Sequence, residues 1–381
     1  MTSLLLKNVD VVTPETVLKN TCLLITDNKI AEISPDLRTA GETIDLGGAT
    51  LWPGFIDVHI HGAVGVDTNA AGENDLAKMA GFLASQGITA WLPTLVPDSG
   101  ANYKKAVDAI DGLMERQAGR AIAQAAGVHY EGVFASEKMC GALHPEFFKK
   151  FTGDEIAELP RLKKGVHFTT LAPEIEGGID LIAGLVRLNW VVSIGHTRSG
   201  ADVLDRAFDA GARHLTHFYN AMTGLHHREV GVVGWAFSKE EVTFDIIADG
   251  IHVHPDMLRF ACLSKTPGKV SLISDAVMPA GLGDGEFEIW GERITVENGR
   301  TRNGRGSIAG SVITMLDAVG RMLALGFSAP DVSRMSSLNP AKLLGLDKTH
   351  GSIETGKRAD LVALNGDGKV KLAIVGGVTV K

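Results

Sequence analysis

Two histidines separated by one residue, His59 and His61, end a short apolar run early in the chain. In an extended strand, residues i and i+2 point to the same side, so both imidazoles can face one point. Imidazole nitrogen is a common ligand of zinc and of other divalent transition metals. Taken alone, the pair fits a polar strand face as well as it fits a metal site.

Further residues of the same chemistry occur in or just beyond other apolar runs. They are Glu131, His196, His217, His252 and Asp275. Each has an ordinary interpretation by itself, such as a helix cap or one half of an ion pair. Their recurrence at the same end of successive strand candidates favours one shared site. Histidines and carboxylates that converge would suit a divalent transition metal. Most of the remaining histidines lack this placement and are interpreted as surface or core residues.

The elements that would position these residues alternate between strand and helix. Strand-like runs lie at residues 55–60, 88–95, 127–133, 167–171, 191–195, 214–220, 243–248 and 270–274. Helix-length segments separate several of them, one starting near Asn74 or Asp75 and one capped by Ser199. The alternation predicts an α/β fold with a (β/α)8 TIM-like barrel, whose active site forms at the carboxyl ends of the strands. A doubly wound sheet would also alternate, but no GxGxxG run follows the first strand.

The two ends of the chain resemble each other and differ from the middle. Short apolar runs separated by Asn, Asp, Pro and Gly fill both ends, which is typical of strands joined by turns. We therefore predict a small β-sandwich domain built from both termini, residues 1–52 and 347–381. Residues 53–346 would form the barrel.

Composition and charge argue against several classes of function. The 381 residues are 45% hydrophobic and 22% charged, the ordinary balance of a globular chain. A net charge of −8 without a basic run predicts no nucleic-acid or membrane partner. Three cysteines without a CxxC pair suggest neither disulfides nor a cysteine zinc site. The sequence shows no signal peptide and no apolar run of about 18 residues, so a cytoplasmic location is expected.

Several runs carry a resemblance to a known family. Residues 53–62 (PGFIDVHIHG) resemble the first-strand signature of the amidohydrolase superfamily, and residues 351–353 and 356–362 resemble its C-terminal β-segment. Shorter runs narrow the resemblance to the N-acetylglucosamine-6-phosphate deacetylases. These are residues 93–95 (PTL), 171–174 (LAPE), 195–197 (GHT), 216–222 (THFYNAM), 228–231 (REVG), 247–253 (IADGIHV) and 309–311 (AGS). The resemblance extends over essentially the whole chain.

The resemblance implies a metal site and a catalytic carboxylate. Glu131, His196 and His217 match the ligands of the principal divalent metal, for which zinc is the expected ion. Asp275 matches the general acid/base. His59 and His61 match positions that bind a second metal in some members, so one or two ions per chain are expected.

The resemblance also implies how a sugar phosphate would be held. The matching residues are Ala142, Asn220, Ala221, Arg228, His252 and Ile308. In this family the residue that matches Arg228 reaches the neighbouring active site, so a homodimer is expected.

Two departures from the family pattern lie close together. The family continues its third-strand Glu with Gly-Pro-Phe or Gly-Pro-Trp, whereas residues 132–135 here read GVFA. The loop that follows reads CGALHP at residues 140–145, so Leu143 occupies the position of a His that polarises the substrate carbonyl. His144 lies one place later and is our candidate for that catalytic role.

The implied reaction is hydrolysis of N-acetylglucosamine 6-phosphate to glucosamine 6-phosphate and acetate, a step of amino-sugar catabolism or recycling. One alternative keeps the chemistry and changes the substrate to N-acetylgalactosamine 6-phosphate or another N-acylated amino sugar. A hydantoinase type of site is disfavoured because the fourth strand candidate ends in LAP, without the Lys that bridges two metals there. A non-catalytic metal-binding barrel is the remaining alternative.

Overall fold

The central unit of the computed structural model, which describes residues 3–39 and 41–380, is a parallel barrel with its strands in sequence order. The barrel strands are β1 (Phe55–Ile60), β2 (Ile88–Leu95), β3 (Gly127–Glu131), β4 (Val166–Leu171), β5 (Val191–Ile194), β6 (His214–Leu215), β7 (Thr243–Ile247) and β8 (Val270–Ile273). A parallel bridge between Ile60 and Ala276 brings the two ends of the sheet together. The predicted fold class is confirmed.

A helix follows each barrel strand. These helices are α1 (Glu73–Ser85), α2 (Gly100–Arg116), α3 (Glu155–Glu158), α4 (Gly178–Arg187), α5 (Ala201–Asp209), α6 (Gly231–Ser238), α7 (Pro255–Lys265) and α8 (Met315–Ala324). Short helical segments occur at Glu137–Met139, Pro145–Phe147, Pro267–Lys269, Ala329–Ser333, Arg334–Leu338 and Asn339–Leu343. No helix in residues 3–39 and 41–380 is long and apolar enough to cross a membrane.

The inside of the barrel contains an apolar layer, and polar side chains lie at the carboxyl ends of its strands. Ile56, Phe168, Ile247 and Ile273 belong to one buried cluster although they come from β1, β4, β7 and β8. Because β1 and β4 are not neighbours in the sheet, these side chains can meet only inside the barrel. This packed layer fills the barrel interior, and the site can form next to it at the carboxyl ends of the strands.

Both ends of the chain join in one seven-stranded sheet. Its order is Val378–Thr379, Val370–Val375, Leu361–Leu364, Glu42–Pro53, Ser3–Val12, Val17–Thr26 and Lys29–Ser34. Ser3–Val12 and Glu42–Pro53 run parallel, and the other neighbours in the sheet are antiparallel. Leu6, Leu23, Leu51 and Ile374 share its buried core. The predicted β-domain from both termini is therefore present, while its predicted boundaries stay a prediction.

A second antiparallel sheet was not predicted. Its strands, Gly285–Ile289, Glu292–Glu297 and Arg300–Asn303, lie between β8 and α8. Its apolar side rests on Val277 and Ala309, next to the end of β8. The remaining two-residue strands are Gly62–Ala63, which pairs with Val66–Asp67, and Gln124–Ala125, which pairs with β2.

One strand and one helix cap differ from their predictions, and the other predicted strand bounds agree with the structure to within two residues. The sixth strand was predicted to extend to residue 220, but β6 ends at Leu215 because His217 and Tyr219 adopt left-handed backbone conformations. Helix α5 was predicted to begin with Ser199 as its cap. Gly200 is the cap instead, because the Ser199 hydroxyl donates a hydrogen bond to Glu174 Oε2 at 2.7 Å.

Candidate active site

Three of the predicted site residues leave their strands in a left-handed backbone conformation. The φ angles are 47° at His196, 36° at His217 and 49° at Asp275. Such angles are uncommon outside glycine and cost about 1–3 kcal/mol each. Strained residues of this kind cluster at functional sites, where the surrounding structure holds them in place. The strain therefore coincides with the residues that the sequence predicts for chemistry.

Glu131, His196 and His217 meet at the carboxyl end of the barrel. Glu131 Oε1 lies 3.1 Å from His196 Nε2 and 3.0 Å from His217 Nε2, and the two nitrogens lie 3.0 Å apart. All three side chains are buried. A triangle with these edges is small enough for one ion to reach all three atoms at the roughly 2.0–2.2 Å typical of zinc ligands.

The hydrogen bonds of His196 show that this arrangement suits a cation. His196 Nδ1 lies 2.8 Å from the Met139 carbonyl oxygen, which can only accept a hydrogen bond. Nδ1 therefore carries the proton in the neutral ring, and Nε2 presents a lone pair to Glu131 and His217. A ring lone pair of His196 and a carboxylate oxygen of Glu131, directed at one point beside His217 Nε2, call for a positive charge between them. The donor set of this group thus fits a divalent metal.

His59, His61 and Asp275 form a second group beside the first. His59 Nε2 lies 3.1 Å from His61 Nε2, and Asp275 Oδ1 lies 3.5 and 3.3 Å from these two nitrogens. His61 Nε2 is also 3.2 Å from Glu131 Oε2. Glu131 Oε1 is likewise 3.4 Å from His59 Nε2, so this carboxylate contacts both groups and could bridge two ions.

The pKa values reflect the crowding of these charges. Burial would raise the pKa of Glu131, but the adjacent imidazoles of His59, His196 and His217 hold it well below its usual range. Burial would lower the pKa of His61, whereas hydrogen bonds to Asp275 and Glu131 raise it to about 10. The two carboxylates thus keep strong negative charge in a buried place, which is what a metal-binding site requires.

The buried carboxylate of Asp57, behind the site, holds His59 and Ser274, the residue before Asp275. Asp57 Oδ1 accepts a hydrogen bond from the His59 amide at 3.2 Å, and Asp57 Oδ2 accepts one from the Ser274 hydroxyl at 2.5 Å. Burial raises the pKa of Asp57 to about 6. The pairing of β1 with β2 is irregular between Asp57 and Ile60. The hydrogen bond from Ser274 to Asp57 joins this irregular part of β1 to the end of β8.

The ring of His129 packs against the ring of His59, with centroids 4.7 Å apart. Its Nδ1 lies 3.0 Å from the Val58 carbonyl oxygen, and its Nε2 lies 2.8 Å from Thr170 Oγ1. His129 is fully buried, and its interpretation as a core histidine is compatible with these contacts. The structure adds that it supports a predicted metal ligand.

A cavity of about 330 Å³ opens above the two groups, within the range typical of small-molecule sites. The predicted substrate residues that line it are Ala142, Asn220, Ala221, His252 and Ile308. His252 is held by a hydrogen bond of 2.6 Å between its Nδ1 and Asp249 Oδ2. At Gly310, a Cβ atom would lie 2.8 Å from the Asp275 carbonyl oxygen, so only glycine allows this close approach. The structure therefore brings these predicted residues into one cavity.

Three predicted residues do not line this cavity, and they are His59, which lies behind it in the second group, His144 and Arg228. His144 does not line it, and its Nδ1 is 3.2 Å from Glu146 Oε1 on the loop. Its neighbour Leu143 is buried and lines the cavity instead. The role of His144 in polarising the substrate carbonyl therefore stays a prediction. Arg228 is exposed, with its guanidinium 2.8 Å from His227 Nε2.

Sequence reasoning missed several lining residues, of which Trp290 is the largest. Trp290 belongs to the unpredicted three-stranded sheet, and its ring centroid lies 5.5 Å from that of His61. The pair Trp290-Gly291 between two alternating runs is a hairpin signal that could have identified it.

Comparisons with known proteins agree with this geometry. The model of the "Amidohydrolase family" matches residues 50–380. The chain is 35% identical over 381 residues to the N-acetylglucosamine-6-phosphate deacetylase of Bacillus subtilis (strain 168), covering 98% of this chain and 96% of that protein. It is 37% identical over 348 residues to the N-acetylgalactosamine-6-phosphate deacetylase of Escherichia coli O157:H7, covering 90% of each.

Solved structures of two N-acetylglucosamine-6-phosphate deacetylases are similar to this chain over nearly its full length. The N-acetylglucosamine-6-phosphate deacetylase of Pasteurella multocida superposes with a TM-score of 0.92 at 29% identity, covering 99% of both chains. A mutant of the Mycobacterium smegmatis enzyme, in complex with N-acetyl-D-glucosamine-6-phosphate, superposes with a TM-score of 0.89 at 30% identity and covers 100% of both chains.

Proposed function

We propose that this chain, which belongs to the amidohydrolase family, removes the acetyl group of N-acetylglucosamine 6-phosphate by hydrolysis. The products are glucosamine 6-phosphate and acetate. The observation that carries this proposal is the meeting of a three-ligand group with Asp275 in one cavity of substrate size. Release of acetate from the phosphorylated sugar, measured together with bound metal, tests it. Full metal content without turnover would instead favour a non-catalytic barrel.

Zinc is the proposed ion, with Glu131, His196 and His217 as its ligands. Two imidazoles and a carboxylate with one remaining position are typical of catalytic zinc sites. A bound divalent ion lowers the pKa of water to near 7 and stabilises negative charge on a carbonyl oxygen. The cytoplasm is the proposed compartment, as expected from the sequence.

Asp275 performs the proton transfers of the proposed reaction. Burial would raise its pKa, but the nearby charges of His59 and His61 outweigh this and hold it below the usual range. The carboxylate is therefore ionised at neutral pH and can accept a proton from the attacking water. The same carboxyl then protonates the departing amine, which leaves poorly without a proton.

A second metal position is the next prediction. We expect His59 and His61, with Asp275 or Glu131, to bind a weaker second ion, because their ligand atoms lie within 3.5 Å of one another. Metal analysis after incubation with excess divalent metal should give two ions per chain, and His61→Asn should reduce the number to one. One ion per wild-type chain at saturating metal would contradict this prediction.

Recognition of the phosphate is proposed to involve Arg228. The net charge of −8 gives no general attraction for a dianion, so specific donors are needed. Arginine binds phosphate through two parallel hydrogen bonds. Losing such a contact costs about 1.5–3 kcal/mol, so Arg228→Ala should lower kcat/KM roughly 10- to 150-fold for the phosphorylated sugar. The unphosphorylated sugar should be barely affected, and Arg120→Ala, at an exposed loop before β3, should change neither.

Arg228 is proposed to act on the neighbouring active site of a homodimer. Its exposed position on a single chain is compatible with that proposal. Mixing Arg228→Ala with Asp275→Asn separates the possibilities. If the arginine crosses the interface, a mixed dimer contains one site with both side chains, and activity exceeds the sum of the two variants. No recovery after demonstrated subunit exchange would place Arg228 in its own site or in none.

N-acetylgalactosamine 6-phosphate is a second candidate substrate. The 37% identity to the Escherichia coli enzyme of that name favours it, as does Leu143 at the position of the family's His. A steady-state comparison of the two sugar phosphates decides between them. The higher kcat/KM identifies the substrate, and the metal chemistry is the same for both.

A further inference from the structure

Trp290 occupies an unfavourable position at the tip of a hairpin. Ile289 pairs with Glu292, so Trp290 and Gly291 form a two-residue loop. Their φ angles are 54° and 74°, which is the pattern of a type I′ turn. The first position of this turn favours Asn, Asp or Gly, and a bulky residue there is strained. The side chain of Trp290 thus occupies a place that the backbone alone disfavours.

The surroundings hold the indole ring beside the reacting groups. Trp290 meets the ring of His61 edge to face, with an angle of 80° between the ring planes. Its Nε1 donates a hydrogen bond to Asp67 Oδ1 at 3.4 Å. Trp290 also packs against the buried cluster that contains Val277 and Ile289. The ring lines the cavity and also lines an outer cleft, so it is a wall between the two.

The position of this wall relative to the strands indicates which part of the substrate it meets. Asn220 and His252, proposed to hold the sugar phosphate, follow β6 and β7, whereas Trp290 lies against His61 at the end of β1. The scissile carbonyl carbon must lie near Asp275, between these two sides. An N-acyl sugar extends from that carbon in two directions, with the sugar on one side and the acyl chain on the other. A sugar over β6 and β7 directs the acyl chain to Trp290.

We infer that Trp290 closes the acyl subsite and restricts the substrate to short N-acyl groups. This inference rests on the proposed function. The indole fills the space that a longer chain would need, and its apolar face suits the acetyl methyl group. Trp290 is accordingly a residue that determines specificity, while Asp275 and the metal ligands carry the reaction.

The test compares N-acetyl, N-propionyl and N-butyryl glucosamine 6-phosphate with wild type and Trp290→Gly. Glycine is favoured in this turn, so the variant is expected to fold. A methylene group in an apolar pocket changes kcat/KM roughly 10- to 200-fold, so the ratio of butyryl to acetyl turnover should rise by at least that factor. Phe287→Ala, on the same hairpin but not lining the cavity, is the matched control and should leave the ratio unchanged.

The outcomes separate this inference from the proposed function. If wild type does not hydrolyse the N-acetyl substrate, the proposed function fails. If wild type is active and Trp290→Gly raises KM equally for all three acyl lengths, the ring contacts the sugar and the acyl subsite is wrongly assigned. An equal loss of kcat for all three with reduced bound metal would mean that Trp290 acts through His61, and it would also overturn the inference.

Discussion

Replacing Asp275 with asparagine should lower kcat by roughly 10²–10⁴-fold, the usual contribution of a positioned acid/base group. Asparagine keeps the size and hydrogen-bonding shape of the side chain but cannot accept the proton of water. It also tolerates the left-handed backbone that this position requires, where φ is 49°. Two backbone hydrogen bonds should therefore remain. The Asp275 amide donates one to the His59 carbonyl oxygen at 2.9 Å, and the Asp275 carbonyl oxygen accepts one from the Ser311 amide at 2.7 Å.

Metal content decides how the Asp275→Asn result is interpreted. Stopped assays of acetate release should be paired with metal analysis of the same preparation. Asp256→Asn is a suitable control, because that carboxylate is 91% exposed and lies at the start of α7. Near-normal turnover by Asp275→Asn with unchanged metal content would remove this residue from the mechanism.

Glu131→Gln should weaken metal binding by more than about 100-fold, because even partners outside the ligand shell commonly contribute 10–100-fold. The Glu131 carboxylate is the element common to both groups, with Oε1 near His196 and His217 and Oε2 near His61. An amide of the same shape removes the negative charge and presents NH₂ protons to nitrogen lone pairs. Activity should fall with bound metal and recover in part when metal is added in excess.

Dialysis followed by metal analysis and calorimetric titration measures this loss directly. The control is Glu137→Gln, an exposed carboxylate on the loop after β3. Equal metal affinity in wild type and Glu131→Gln would contradict the assignment of the principal site, whatever the activity. Full metal binding with lost turnover would place Glu131 in the reaction instead.

The sequence predicted the barrel and a shared site at its strand ends because these signals are local and regular, and the family resemblance assigned the metal ligands. Apolar runs such as residues 55–60 and 88–95 coincide with β1 and β2, and the helix predicted near Asn74 begins at Glu73. Residues at the ends of parallel strands must meet at one edge of the sheet. His59, Glu131 and Asp275 could therefore be grouped before their distances were known.

The strand end at His217, the loop residue in the cavity and the role of Trp290 could not be predicted, because they depend on contacts between distant parts of the chain. The run at residues 214–220 is apolar like a strand, but His217 turns left-handed and the strand stops early. The role of His144 was inferred from its place in a loop next to Leu143. The sequence alone does not show which of the two side chains lines the cavity, where the structure places Leu143. Trp290 comes from a hairpin 229 positions after His61, and no periodicity connects the two.

The seven-stranded sheet also has a consequence for the synthesis of this protein on the ribosome. Residues 50–53 pair with Leu361–Leu364, which are translated about 300 residues later. Because translation adds roughly 5–20 residues per second, the strand edge at residues 50–53 stays unpaired for about 15–60 s before residues 361–364 are made. The barrel strands follow one another in sequence, so the barrel can form during this interval while the sheet remains half built. An open edge is a template for pairing with other chains, so nascent chains that terminate before residue 361 should self-associate through that edge even with a complete barrel.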